Sequence, residues 1–147
     1  MMKLLVAISQ TPETTARIAF KDGGSVFDSN GVNYIMNPYD EWYALVRALE
    51  LKEEKGGSVT VIHVGPSAND VTIRKALAIG ADDAVRVELN PDSSYAVATQ
   101  IAAQAKDQQY DIIFTGKETI DFNGSSVGSM ISELLDLPFI SLASSLK

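Results

Sequence analysis

The chain has 147 residues, 46% hydrophobic and 21% charged, which suits one folded domain with its own core and excludes a disordered tail. A formal net charge of -7 with no run of Lys or Arg argues against nucleic acid and anionic membrane as bulk partners. There is no cysteine and one histidine, His63, so disulfides, Cys nucleophiles, thiolate metal sites and multi-His metal centres are out. No apolar stretch approaches membrane-spanning length and the start carries no leader pattern, so the sequence is expected to act in the cytoplasm without membrane insertion.

Leu4-Leu5-Val6-Ala7-Ile8 is a nearly unbroken apolar run, as in a central parallel strand buried on both faces. Ser9-Gln10-Thr11-Pro12 should break it. Arg17 to Phe20, a turn at Lys21-Asp22-Gly23-Gly24, Val26 to Asp28 and a turn at Ser29-Asn30-Gly31 read as a small hairpin excursion after the first strand. Asn37-Pro38-Tyr39-Asp40 reads as a helix start: Asn37 as cap, Pro38 at the first helical position, Asp40 in the first turn. The helix should carry Tyr39, Trp42, Leu45, Val46 and Leu49 on its apolar face and stop at Gly56-Gly57.

Residues 59–64 form the second buried strand, ended by Gly65-Pro66. A helix over about residues 69–79 should turn Val71, Leu77 and Ala78 inward and stop at Gly80. Residues 84–89 read as a third strand, about 94–108 as an Ala-rich helix, and 110–114 as a fourth strand. Helix is expected again over about residues 127–135, ended by Pro138, with Phe139-Ile140 starting another strand. Alternating buried strands and helices argue an α/β fold, a doubly wound and mostly parallel sheet with helices on both faces. The loops after Ile8, Val64 and Phe114 should then meet at one rim, joined by the loop ending at Asn37 if the hairpin folds back.

The stretch from Thr115 to Met130 stands out. It runs from a strand through Asp121, Phe122, Asn123, Gly124, Ser125 and Ser126 into a helix opening with Val127, Gly128 and Ser129. Glycines there allow close backbone approach, the serines bring hydroxyls, and uncompensated N–H groups at a helix start favour an anion such as a nucleotide phosphate. The same residues also suit a well-capped strand–helix connection, and local chemistry leaves both readings open. Catalytic sets are missing. Glu53-Glu54 and Asp82-Asp83 look like solvated ends, His63 like a rim side chain, and Trp42 and Tyr43 like core or subunit contacts. Neither a Walker loop around Lys117 nor a Rossmann Gly-x-Gly-x-x-Gly is present. No nucleophile–base–orienter set appears, so the chain reads as a nucleotide holder and not an enzyme.

Several runs resemble the β subunit of electron transfer flavoprotein: Asn37-Pro38-Tyr39-Asp40-Glu41, Leu49-Glu50-Leu51-Lys52-Glu53, Gly65-Pro66, Arg74-Lys75-Ala76-Leu77-Ala78-Ile79-Gly80-Ala81-Asp82 and Thr115-Gly116-Lys117-Glu118-Thr119-Ile120-Asp121. The resemblance runs in order from Met2 to about Pro138. It implies an adenine-nucleotide-hydrolase-like fold and a heterodimer with an α subunit that holds the redox FAD. Such a pair carries electrons from acyl-CoA and other dehydrogenases to an acceptor, and the β subunit binds AMP or a second FAD. Carried over by position, the pocket would use Ala7, Asn37, Pro38, Tyr39, Asp40, Val64 and Gly65. The phosphate end would lie on Asp121, Asn123, Gly124, Ser125, Ser126, Val127, Gly128 and Ser129. Where the family has a second acidic residue and a Gln in this loop, Phe122-Asn123-Gly124 and Ser125-Ser126-Val127-Gly128 stand here, which leaves AMP against FAD open. Members are longer, so one nucleotide-binding domain, truncated before the dehydrogenase-recognition segment, is expected over residues 1–147, and an exposed partner face allows a homodimer of the piece alone. The other readings are a universal-stress-type ATP-binding protein, whose Gly-x2-Gly-x9-Gly-Ser pattern is not met, and a small nucleotide-dependent transferase, whose ATP-pyrophosphatase loop is missing.

Overall fold

The first strand, β1 (Met2–Ala7), has Leu4, Leu5 and Val6 at 1% exposure or less, because both faces of the sheet around it are covered. The computed structural model describes residues 1–146. After β1 come β2 (Gln10–Pro12), β3 (Phe20–Lys21), β4 (Val26–Phe27), β5 (Tyr34–Met36), α1 (Asp40–Lys55), β6 (Gly57–Val64), α2 (Asp70–Ile79), β7 (Asp83–Val87), α3 (Ser94–Ala105), β8 (Ile112–Phe114) and α4 (Val127–Leu135). The central sheet has the order β7-β6-β1-β8 and its pairs are all parallel. Alternate residues serve opposite cores, as strand pleating requires. Leu4, Val6, Val59 and Val61 pack with Ala44, Leu45, Ala48 and Leu51 of α1 and Ala76 of α2. Leu5, Ala7, Ile62 and Val64 pack with Ala98, Ile101 and Ala105 of α3 and Ile131 of α4. This is the expected doubly wound α/β sheet. Strand order grows from β1 through β6 to β7, then jumps to the other side of β1 at β8, so the switch point lies between β1 and β8.

The excursion after β1 is larger than expected. Gln10–Pro12 does not merely end the strand; it pairs antiparallel with Tyr34–Met36, and inside that ribbon Phe20–Lys21 pairs with Val26–Phe27. Pro12 is tolerated because a two-stranded ribbon leaves one edge unpaired. The inner hairpin turns through Asp22–Gly24 and is closed by an edge-to-face contact of Phe20 on Phe27, 6.2 Å between centroids. The outer ribbon is what returns Asn37 to the rim, and Asn37 N–H donates to the Ser9 carbonyl at 3.3 Å.

Several boundaries differ for identifiable reasons. Helix α1 begins at Asp40; Asn37 does not cap it, and Pro38 sits in the preceding turn. Asn37 is instead fully buried and bonded elsewhere. On α2 the inward residues are Thr72, Ile73 and Ala76, while Val71 and Leu77 are 61% and 37% exposed and Ala78 faces out. A polar residue takes the inward phase because Gln10 Nε2 donates to Thr72 Oγ1 at 3.0 Å. Strand β7 ends at Val87, since its partner β6 ends at Val64, the residue paired with it. Helix α3 stops at Ala105, and the chain turns through Gln109 at φ 53°. Phe139-Ile140 forms no strand. Helix α4 closes through Asp136 in the left-handed region, and both residues are exposed in irregular chain.

Gly57, which joins α1 to β6, has φ +142°, and an added Cβ would fall on the Met2 carbonyl. Gly57→Ala should therefore cost about 2–4 kcal/mol, read as a lower urea midpoint at unchanged slope.

Candidate functional site at the switch point

Ala7 ends β1 at the rim, and the next two residues are held by side chains from different elements. His63, 3% exposed on β6, lies with Nδ1 3.0 Å from the Ile8 carbonyl and Nε2 2.9 Å from Asn69 Nδ2. A carbonyl only accepts, so Nδ1 carries the hydrogen and Nε2 accepts from Asn69. Burial pushes the His63 pKa down, which keeps the ring neutral. From the other side Glu41, 7% exposed in the first turn of α1, accepts from Ser9 N–H at 2.6 Å and from Ser9 Oγ at 2.8 Å. Its pKa is pushed up to about 7, mainly by burial, against the lowering effect of the Ser9 donors and with a small push from Asp121. The sequence did carry a signal for Glu41: Ala44, Ala48 and Leu51 form the inward stripe of α1, and Glu41 continues it one turn earlier.

The loop after β8 closes onto the same place. Asn37 Nδ2 donates to the Glu118 carbonyl at 2.8 Å, and Asp40 Oδ2 accepts from Glu118 N–H at 3.4 Å. A cavity of about 410 Å³ opens there, lined by Tyr39, Asp40, Lys117, Glu118, Ile120 and Asn123. Of the expected pocket residues, Tyr39, Asp40 and Asn123 line it. Lys117, Glu118 and Ile120 are additions: they lie within the family-like run over residues 115–121 but carry no pocket assignment from the sequence. Asn37, Pro38, Asp121 and residues 124–129 lie outside its lining, as do Ala7, Val64 and Gly65 at the strand ends.

Beyond Ile120 the loop bends over the start of α3. Asp121 Oδ1 accepts from Phe122 N–H, and Ser125 Oγ donates to Glu118 Oε2 at 2.7 Å. That hydroxyl, with Lys117 3.2 Å away from Oε1, holds the Glu118 carboxyl below the usual range. Asn123 and Ser125 take left-handed φ of 50° and 48°, a conformation that costs about 1 kcal/mol or more in a non-glycine residue. Ser126 precedes α4 without capping it by its side chain, and Ser129 Oγ donates back to the Ser126 carbonyl. The first turn of α4 thus offers Val127, Gly128 and Ser129 N–H groups without a side-chain cap.

The glycines serve chain-to-chain contacts. A Cβ at Gly128 would lie 2.6 Å from Thr115 Oγ1 and 3.3 Å from the Phe139 ring; one at Gly116 would lie 2.7 Å from Glu41 Cγ. At Gly65 it would fall on His63 Nε2, and at Gly124 it would meet Ser94 Oγ at 3.3 Å. Close approach of neighbouring elements by itself calls for glycine at residues 65, 116 and 128. Among the described residues no cluster of metal-ligating side chains is present.

Gly128→Val should pry α4 from β8 and cost about 2 kcal/mol with or without ligand, seen in urea denaturation. For Glu41 the folded pKa lies above its ordinary 4.5. Its contribution is therefore complete below about pH 4.5, declines as the unfolded chain releases the proton, and is gone above about pH 7. Against Glu41→Gln, the wild type should lose about 3 kcal/mol between pH 4.5 and 8. A constant difference between the two denaturation curves would refute this. His63, with a lowered folded pKa, acts oppositely: it removes stability as pH falls below 6.5 toward the folded value.

Residues 24–147 match the family model described as the electron transfer flavoprotein domain. The chain is 34% identical to the electron transfer flavoprotein subunit beta of Bacillus subtilis (strain 168), over 99% of this chain and 57% of that protein. It is 38% identical to protein FixA of Azotobacter vinelandii, over 97% of this chain and 53% of that one. It is also 30% identical to the acryloyl-CoA reductase electron transfer subunit gamma of Anaerotignum propionicum, over 99% of this chain and 56% of the relative. The chain thus spans about half the length of the curated relatives it matches. With the family model matched over residues 24–147 and these relatives aligned along nearly the whole chain, the chain belongs to the electron transfer flavoprotein domain family, on its β-subunit side.

Proposed function

We propose that this chain is the nucleotide-binding portion of an electron transfer flavoprotein β subunit, a carrier subunit without catalytic residues of its own that works in the cytoplasm. It holds AMP, or a second FAD in its place. With an α subunit bearing the redox FAD, it takes part in moving electrons from acyl-CoA or other dehydrogenases to an acceptor. The observation that carries the nucleotide reading is the uncapped start of α4 at the end of a loop whose earlier residues, Lys117, Glu118, Ile120 and Asn123, line a cavity at the sheet's switch point.

The residues present fit such a group. About 410 Å³ lies in the range of small-molecule sites. Asp40, Glu118 and Asp121 outnumber Lys117 around the rim, so a phosphate has to be held by the backbone N–H groups of 127–129 and by hydroxyls, with little help from cations. A ligand that extends from the cavity along the strand ends meets Ala7, Val64 and Gly65, and Tyr39 and Asp40 form the wall facing the base. A bound AMP supplies shape and charge with no redox chemistry of its own, whereas a flavin supplies an electron-accepting ring. The chain's contribution is to bind and orient.

Calorimetric titration with AMP, ATP and FAD tests this reading. AMP or FAD should bind. Ser126→Asp should weaken that binding at least about tenfold, by setting a carboxylate against the phosphate, while a carboxylate at the N-cap position suits the free N–H groups of α4 and leaves the melting temperature unchanged or higher. Preference for ATP would favour a universal-stress-type protein, and no binding to any of the three would overturn the nucleotide assignment.

A further inference from the structure

Glu118 is anchored by its main chain and movable at its side chain. Its carbonyl accepts from Asn37 Nδ2 at 2.8 Å and its N–H donates to Asp40 Oδ2 at 3.4 Å, which ties the backbone to the start of α1. The carboxylate, on the cavity wall, takes its donors from the loop instead: Ser125 Oγ at 2.7 Å on Oε2 and Lys117 Nζ at 3.2 Å on Oε1. Lys117 is the only cation in that cavity's lining among the described residues, and Ser125 stands two residues before Val127, where α4 opens. A hydroxyl and an ammonium are the side-chain donors that an anionic ligand needs at this rim. Both are spent on a carboxylate of the chain itself.

We infer that Glu118 is an internal stand-in for the ligand's phosphate: its carboxylate holds Ser125 Oγ and Lys117 Nζ in the free chain, and a nucleotide binds by exchanging with it. This exchange presupposes the nucleotide reading given above and names the contact that limits affinity there. The side chains of Lys117 and Glu118 are 49% and 26% exposed, and ion pairs so open to water are worth little net, so the carboxylate is cheap to displace. A phosphate monoester brings nearly two negative charges and three acceptor oxygens against one charge and two oxygens, so it wins both donors. The released carboxylate can turn to water while its main chain stays fixed at Asn37 and Asp40. The Glu118–Ser125 bond also closes the loop over Asn123 and Ser125, the two residues held at left-handed φ. A strained segment fastened by a displaceable bond suits a ligand clamp.

The experiment is calorimetric titration of the full chain with AMP, and with FAD if AMP does not bind, for wild type, Glu118→Ala, Ser125→Ala and the double variant. Asn37 and Asp40 bond the main chain of residue 118, so Glu118→Ala keeps those anchors. Removing the competing carboxylate should raise affinity about five- to tenfold. Ser125→Ala should change affinity less than about twofold in the wild type, where the hydroxyl only trades one anion for another. In the Glu118→Ala background the same change should weaken binding about fivefold, because there the hydroxyl gains its anion only on binding. A Glu118 that acts only as a clasp for the loop predicts the opposite, weaker binding by Glu118→Ala. One that acts only through long-range charge predicts the same Ser125→Ala effect in both backgrounds. Either result, or unchanged affinity in Glu118→Ala, would overturn the exchange and leave the nucleotide reading standing. Failure of both nucleotides to bind all four proteins would overturn the nucleotide reading and the exchange with it.

Discussion

The way β1 leaves the sheet governs the rest of the molecule. Its last residues are buried on both faces, so the chain must turn out of a dry core at Ile8 and Ser9, where the backbone groups need partners that the sheet no longer supplies. His63 provides one for the Ile8 carbonyl and Glu41 provides one for the Ser9 N–H. Those side chains arrive from β6 and α1, elements on either side of the turn. The rim of the sheet is therefore a junction of buried polar contacts, and the shape of any ligand site there depends on it.

Buried ionisable groups are costly unless they are neutral or paired. This junction uses the first route: His63 and Glu41 are both driven toward their uncharged forms by burial. Their opposite pH dependences confine greatest stability to a window between the acid side, where His63 would have to charge, and the alkaline side, where Glu41 must. Outside the core the second route prevails. Asp82 joins Lys52 at 2.6 Å and also accepts from Val59 N–H, and Arg86 bridges Asp70 and Glu88. These pairs are partly solvated, so they fix geometry more than they add stability.

Close approach between elements is the companion constraint. Gly57, Gly65, Gly116 and Gly128 each sit where a side chain would strike backbone or a packed neighbour. Gly128 lets α4 start against Thr115 at the end of β8, and Gly116 lets the following loop pass over Glu41. The loop after β8 consequently packs against the start of α1 at its beginning and against Thr115 and Phe139 where α4 starts.

Much of this was legible in the residues. The apolar run of β1 fixes a strand buried on both faces, because no amphipathic pattern is present to leave one face wet. Alternation with capped or Gly-ended helices fixes the doubly wound class, and the ordered motifs point to the family. The 127–135 helix could be read in full, since Ser126 and Pro138 bracket a strong apolar stripe. What the sequence could not supply was long-range pairing. Gln10–Pro12 and Tyr34–Met36 become strands only by meeting each other. Asn37 has the local chemistry of a cap but is drawn into the core by Glu118, 81 residues away. Thr72 displaces Val71 from the inward face because Gln10 reaches it, and β7 stops where β6 stops. Local propensity and spacing settle which elements form. The partners of buried polar atoms, and hence the protonation of Glu41 and the lining of the cavity, are settled by contacts between residues far apart in the chain, which only the tertiary structure brings together.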